Sequence, residues 1–116
     1  MATAAFALPL TPGKTEEWRR WSADLLGPRR AEYEASRRRL GVAVERAYLQ
    51  HTPQGDLNVV YVEADDLARA FADLATSQDP FDVWFRERAR DLFGGLDLAR
   101  PLPGPLSELV FDGGAR

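Results

Sequence analysis

The stretch VAVERAYLQHTPQGDLNVVYVEA, residues 42–64, reads as two strands folded about one turn. Branched and aromatic residues fill VAVERAYLQH and LNVVYVEA, and HTPQGD between them supplies the turn chemistry. Setting His51 opposite Asp56 across a four-residue turn places Arg46, Tyr48, Val59, Tyr61 and Glu63 on one face. Glu45, Val60 and Val62 then fall on the other. Both faces are apolar in part, whereas a sheet with one wet face alternates more cleanly. Something must cover the second face, and a second copy of the chain is the economical candidate.

Working outward, the run AAFALPL predicts a first strand at about residues 3–10, followed by PGKTEEW at 12–18. The GKT of that segment invites a phosphate-loop reading, which fails on two counts. Leu8 stands where the loop's first glycine belongs, and Pro12 lacks one of the N–H donors a phosphate would need. A helix start explains more. Thr15 is a good N-cap, Glu16 and Glu17 suit the positive end of the helix dipole, and Trp18 opens an apolar face. The helical pattern then runs to Leu40, with Trp18, Trp21, Leu25, Tyr33 and Leu40 roughly on one stripe. Gly27-Pro28 should kink it or divide it into two abutting helices, and Gly41 should stop it.

Beyond the hairpin, ADDLARAFADLA predicts a short amphipathic helix from near Asp65. Asp79-Pro80 starts another that ends before Gly94-Gly95. A proline-rich connector, RPLPGP, leads to LSELVFD at 106–112, the expected last strand, and residues 113–116 are expected to fray. The order β, α, β, β, α (α), β is that of a ferredoxin-like α+β domain spanning residues 1–116. It implies a four-stranded antiparallel sheet with helices on one face.

Composition narrows the functional classes. The chain has 116 residues, no cysteine, one histidine and a net charge of −3. Disulfides, thiolate metal sites, cysteine nucleophiles and His-rich metal clusters are therefore excluded. The acidic balance argues against a nucleic-acid partner, and LNVVYVEA lacks the stacking aromatics of an RNA-recognition strand. No apolar run is long enough for a membrane span and no leader is visible, so the expected compartment is the cytoplasm. Lys14, the only lysine beside fourteen arginines, sits at a helix entry and is a poor Schiff-base candidate.

The layout, with PGKTEEW opening the first helix and YVEADDLARAF crossing from third strand to second helix, resembles the dimeric α+β barrel superfamily. Within it, the chain is similar to antibiotic-biosynthesis-monooxygenase-like proteins and small bacterial relatives, over roughly residues 3–112. The resemblance implies a homodimer formed through the sheet faces and a pocket for a small molecule. Glu63 matches a glutamate often found at the end of the third strand. The histidine that many members carry on the following helix is missing from Ala68–Ala75, so neither haem nor any other cofactor is expected.

Arg46, Tyr48, Tyr61 and Glu63 are the candidate ligand-binding residues. An Arg46–Glu63 pair would be flanked by two tyrosines whose hydroxyls orient a polar ligand. A satisfied interface ion pair with two packed tyrosines fits the same pattern. His51 is expected at an exposed hairpin tip, and Arg37-Arg38-Arg39 on a salt-bridged wet helix face. The tryptophans at 18, 21 and 84 read as core, with the alternative that their rings line a cavity between helix and sheet. Two functions stay open: a dimeric barrel that binds a small organic molecule, with or without cofactor-independent chemistry, and a structural or interaction dimer with a filled barrel. No catalytic residue or metal site is assigned.

Overall fold

A computed structural model describes residues 1–100 and 106–114. In chain order its elements are β1 (Ala2–Pro9), α1 (Thr15–Leu26), α2 (Arg30–Leu40), β2 (Val42–Thr52), β3 (Gly55–Ala64), α3 (Leu67–Thr76) and α4 (Pro80–Leu92). The strands make one antiparallel sheet in the order β1-β3-β2. His51 pairs with Asp56, so the expected hairpin register is the observed one. A bulge between Val42 and Val44 lets β2 leave α2 and still keep that register.

The helix boundaries follow from local chemistry. The long helical pattern divides at Gly27-Pro28 into α1 and α2. Gly41 ends α2 with φ 73°, and its N–H returns to the carbonyls of Arg37 and Arg38; only glycine adopts that backbone at no steric cost. Asp66 caps α3 by accepting from the Arg69 N–H, and Asp79 caps α4 with Pro80 behind it. One expected cap is absent. Thr15 is the first helical residue, and its hydroxyl donates to Asp56 Oδ2 at 2.6 Å. The N-cap position falls on Lys14, which offers no side-chain acceptor, and the Thr15 hydroxyl ties α1 to the neighbouring hairpin through a charged acceptor.

The sheet has three strands where four were expected. Residues 106–114 form no strand, and Leu109, Val110 and Phe111 are 72%, 85% and 83% exposed. A strand exists only by pairing, and among the described residues LSELVFD has no partner. The outer edge of β1 is likewise unpaired among them. Of the connector RPLPGP only Arg100 is described, and Ala115 and Arg116 of the tail also lie outside the described residues. No helix of the described residues is long and apolar enough to cross a membrane.

The helices cover the sheet face that carries Phe6, Leu8, Asn58, Val60 and Val62. The densest packing lies between helices. Trp21 of α1 stacks obliquely on Phe85 of α4 at 5.0 Å between ring centroids, and Trp18 and Trp21 both meet Phe93 edge-on. A smaller cluster of Leu40, Ala70 and Leu74 joins α2 to α3. Between these clusters and the sheet the packing is incomplete.

Candidate functional site

That incomplete packing is a cavity of about 740 Å³ between helices and sheet. Its walls are Phe6 and Leu8 from β1, Val60 and Val62 from β3, Trp18 and Trp21 from α1, Leu40 from α2, Phe71 and Leu74 from α3, and Phe85 from α4. Exposed lining residues mark its mouth: Arg19 and Leu26 of α1, and Arg46 and Tyr48 of the edge strand β2. The size and the apolar walls match those of small-molecule pockets, which also need a few fixed polar groups.

Those polar groups come from α2 and β2. Tyr33 and Arg37 lie one turn apart on α2 and both reach Glu45. Arg37 Nε donates to Glu45 Oε1 at 2.8 Å, and the Tyr33 hydroxyl donates to the same oxygen. The Arg37 guanidinium also lies over the Tyr33 and Phe85 rings, at 4.8 and 4.3 Å from their centroids. Its Nη1 donates to Ser36 Oγ at 3.0 Å. Ser36 in turn donates to the buried Asp82 at 2.5 Å, and Ser77 and Arg39 give Asp82 two more hydrogen bonds. This chain of contacts ties α2, α4 and the sheet edge together behind the cavity.

The protonation states follow from the contacts. Burial pushes the Glu45 carboxyl up, but the Arg37 charge and the hydrogen bonds from Arg37 and Tyr33 outweigh it and leave its pKa below the ordinary value. Burial pushes Arg37 down and Glu45 more than restores it, so the guanidinium stays charged. Tyr33 is raised well above an ordinary phenol, by burial first and the Glu45 charge second, and remains a donor. Asp82 is lowered: three hydrogen bonds and the Arg39 charge overcome its burial. A carboxylate held this far toward ionisation is a weak base at neutral pH, so the triad suits fixing and charge compensation better than proton abstraction.

Two polar atoms, Trp21 Nε1 and Asn58 Oδ1, have no hydrogen-bond partner among the described residues and are closed off from solvent. Their side chains belong to residues only 6% and 4% exposed. A buried polar atom left unpaired costs about 1–3 kcal/mol.

The four residues expected to bind ligand share one sheet face, as their parity required, but it is the face away from the helices. Arg46 lies over Tyr61 at 5.9 Å from the ring centroid, and the Tyr61 hydroxyl donates to Glu63 Oε2 at 2.7 Å. The expected Arg46–Glu63 ion pair is absent among the described residues; Tyr61 takes both as partners, its ring facing Arg46 and its hydroxyl donating to Glu63. Arg46 and Tyr48 reach the rim of the cavity from the edge strand, and Tyr61 and Glu63 do not line it.

Sequence reasoning placed Glu45 on the correct face and the tryptophans beside a possible cavity. It missed Arg37, which is 7% exposed rather than wet. The signal was spacing. Arg37 stands four residues after Tyr33 and three before Leu40, inside the apolar stripe of α2. His51 is exposed as expected, with Nδ1 2.7 Å from Asp56 Oδ1. Lys14 pairs with Glu17 and Asp91, which leaves the GKT segment without a phosphate role.

Residues 1–95 match DUF6176, described as a family of unknown function, and the chain belongs to that family. The match spans every strand and helix of the described residues and ends before the connector and residues 106–112. No curated protein and no solved structure matches the chain.

Proposed function

We propose that this member of the family binds a small, mainly apolar molecule in the cavity between its helices and its sheet. The observation that carries the reading is the cavity itself. Apolar walls open to solvent through the mouth hold water against them at a free-energy cost. Water entering through the mouth finds few polar partners along these walls. An apolar occupant removes the cost, and the Tyr33–Arg37–Glu45 triad gives the pocket a polar end.

The site lies on the opposite face of the sheet from the one chosen by parity. The chain remains, in this reading, a small-molecule-binding barrel protein with no assigned reaction. Trp18 and Trp21 line the cavity, so intrinsic fluorescence reports its occupant. Titration with the neutral dye Nile red should saturate at one dye per chain and quench the tryptophans. Ala70→Phe, which fills the cavity from α3, should keep the fold and lose the dye. An unmodified chain that fails to take up dye overturns the reading.

A second copy of the chain on the outer sheet face is part of the same proposal. Ala5, Ala7, Val59 and Tyr61 form a nearly uncharged strip there, interrupted only by Arg46 and Glu63. Such a strip fits the sheet-to-sheet contact of a dimeric α+β barrel better than open water. In the full ferredoxin-like arrangement, residues 106–112 would add to the free edge of β1 as the fourth strand.

A further inference from the structure

We infer that the molecule taken into the cavity carries an anionic group, which stays at the mouth while the apolar body lies inside. The inference rests on the binding reading above, and its basis is the charge around the opening. A smaller recess of about 360 Å³ adjoins the cavity, and the two share Tyr33, Arg37, Glu45 and Arg46 among their lining residues. Among the described residues, their combined walls carry four arginines, Arg19, Arg37, Arg38 and Arg46, and two glutamates, Glu34 and Glu45. The chain as a whole has a net charge of −3, so this excess of positive charge is local.

Both glutamates already have arginine partners: Glu45 meets Arg37 at 2.8 Å and Glu34 meets Arg30 at 3.6 Å. Arg19 shares its charge with Glu16 at 3.4 Å. Arg38 and Arg46, both exposed and both on the recess, have no carboxylate partner among the described residues. Arg46 faces the Tyr61 ring at 5.9 Å, a contact that leaves its charge in place. It also lines the main cavity, so it stands where the head and body of a ligand would part. A cationic head there meets two like charges, and a neutral head gains no charge pairing from either. An anionic head pairs with both, and in contact with water it avoids most of the desolvation that a buried charge costs. Deeper in, Arg37 is already compensated by Glu45 and offers no free charge. The ligand class is therefore an amphiphile with an apolar body and an acidic group ionised at neutral pH.

The test is displacement of Nile red from the intact protein at pH 7 by decanoate and by decylammonium, which share one chain length and differ in the sign of the head. Net charge alone would favour the cation. At low salt decanoate should nevertheless bind about fivefold tighter or more, the scale of one or two exposed charge pairs. About 0.5 M sodium chloride should narrow that ratio to within about twofold, because exposed charges are screened. Arg38→Glu combined with Arg46→Glu should reverse the order of the two ions. The salt series on the unmodified chain decides the matter even if the double variant fails to fold. If the ions displace the dye alike, if decylammonium binds tighter, or if salt leaves the ratio unmoved, the anionic-head inference is overturned while dye uptake keeps the cavity reading. If the dye itself is not taken up, both fall.

Discussion

Arg37 of α2 and Glu45 of β2 meet across 2.8 Å, with the arginine side chain 9% and the glutamate side chain 25% exposed. The pair fastens a helix to the free edge of the sheet at the polar end of the cavity. Removing one partner leaves the other charge desolvated and alone, which costs about 3–5 kcal/mol for a fully buried pair. Glu45 keeps some solvent, so Glu45→Gln should cost about 2–3 kcal/mol, a fall in Tm of about 10 °C. Glu34→Gln, which breaks an exposed pair with Arg30, should change stability by under about 0.5 kcal/mol. Glu63→Gln should stay within about 1 kcal/mol, because Glu63 accepts from a tyrosine and has no arginine partner among the described residues. Melting curves of the three variants check this ranking. A Glu45→Gln protein that melts like its parent removes the pair from the account of the fold.

Acid should unfold the protein through the same groups. Glu45 and Asp82 both have folded pKa values below their ordinary ones. Their stabilisation is present in full above the unfolded values, about 4, and is lost as the pH drops through the depressed folded values. Tyr33 is shifted upward, so its share holds below about pH 10 and is lost as alkali ionises the unfolded phenol. Urea midpoints measured between pH 7 and pH 2 should fall most steeply below pH 4, and less steeply in Glu45→Gln. Equal slopes in the two proteins would place the acid sensitivity elsewhere.

The outer sheet face gives the oligomer prediction. If a second copy covers Val59 and Tyr61, light scattering at micromolar concentration should give twice the chain mass. Val59→Asp should shift the protein toward monomer while leaving the helix–sheet cavity able to bind Nile red. A parent protein that is monomeric across that range sinks the dimeric-barrel proposal and leaves the cavity proposal intact.

Residues 106–112 and the free edge of β1 give the last one. An edge strand without charge, such as ATAAFALP, is a pairing site that soluble proteins normally cover. Hydrogen exchange on the full chain should show the amides of 106–112 slowed at least 100-fold relative to an unstructured peptide. Exchange at the free-peptide rate would mean that the sheet ends at β1 in solution as well.

The sequence by itself determined the first strand, the helices and the β2–β3 hairpin with its register, and it offered a strand at 106–112 that the fold does not form. Gly27-Pro28, Gly41, Asp79-Pro80 and the TPQG turn punctuate the chain by local backbone chemistry, which needs no partner from afar. Strand parity alone put Arg46, Tyr48, Tyr61 and Glu63 on one face and Glu45 on the other. Only the tertiary structure decided which face held a cavity, because alternation sorts side chains into two sets without saying how closely a helix packs against either. It also decided the fate of three side chains. The Thr15 hydroxyl found Asp56, Tyr61 took both Arg46 and Glu63 as partners, and Arg37 was drawn from an apparently wet arginine run into the interior. Each outcome was a competition among hydrogen-bond and charge partners distant in sequence. Such a competition is settled only when the folded backbone brings the rivals within reach of one another.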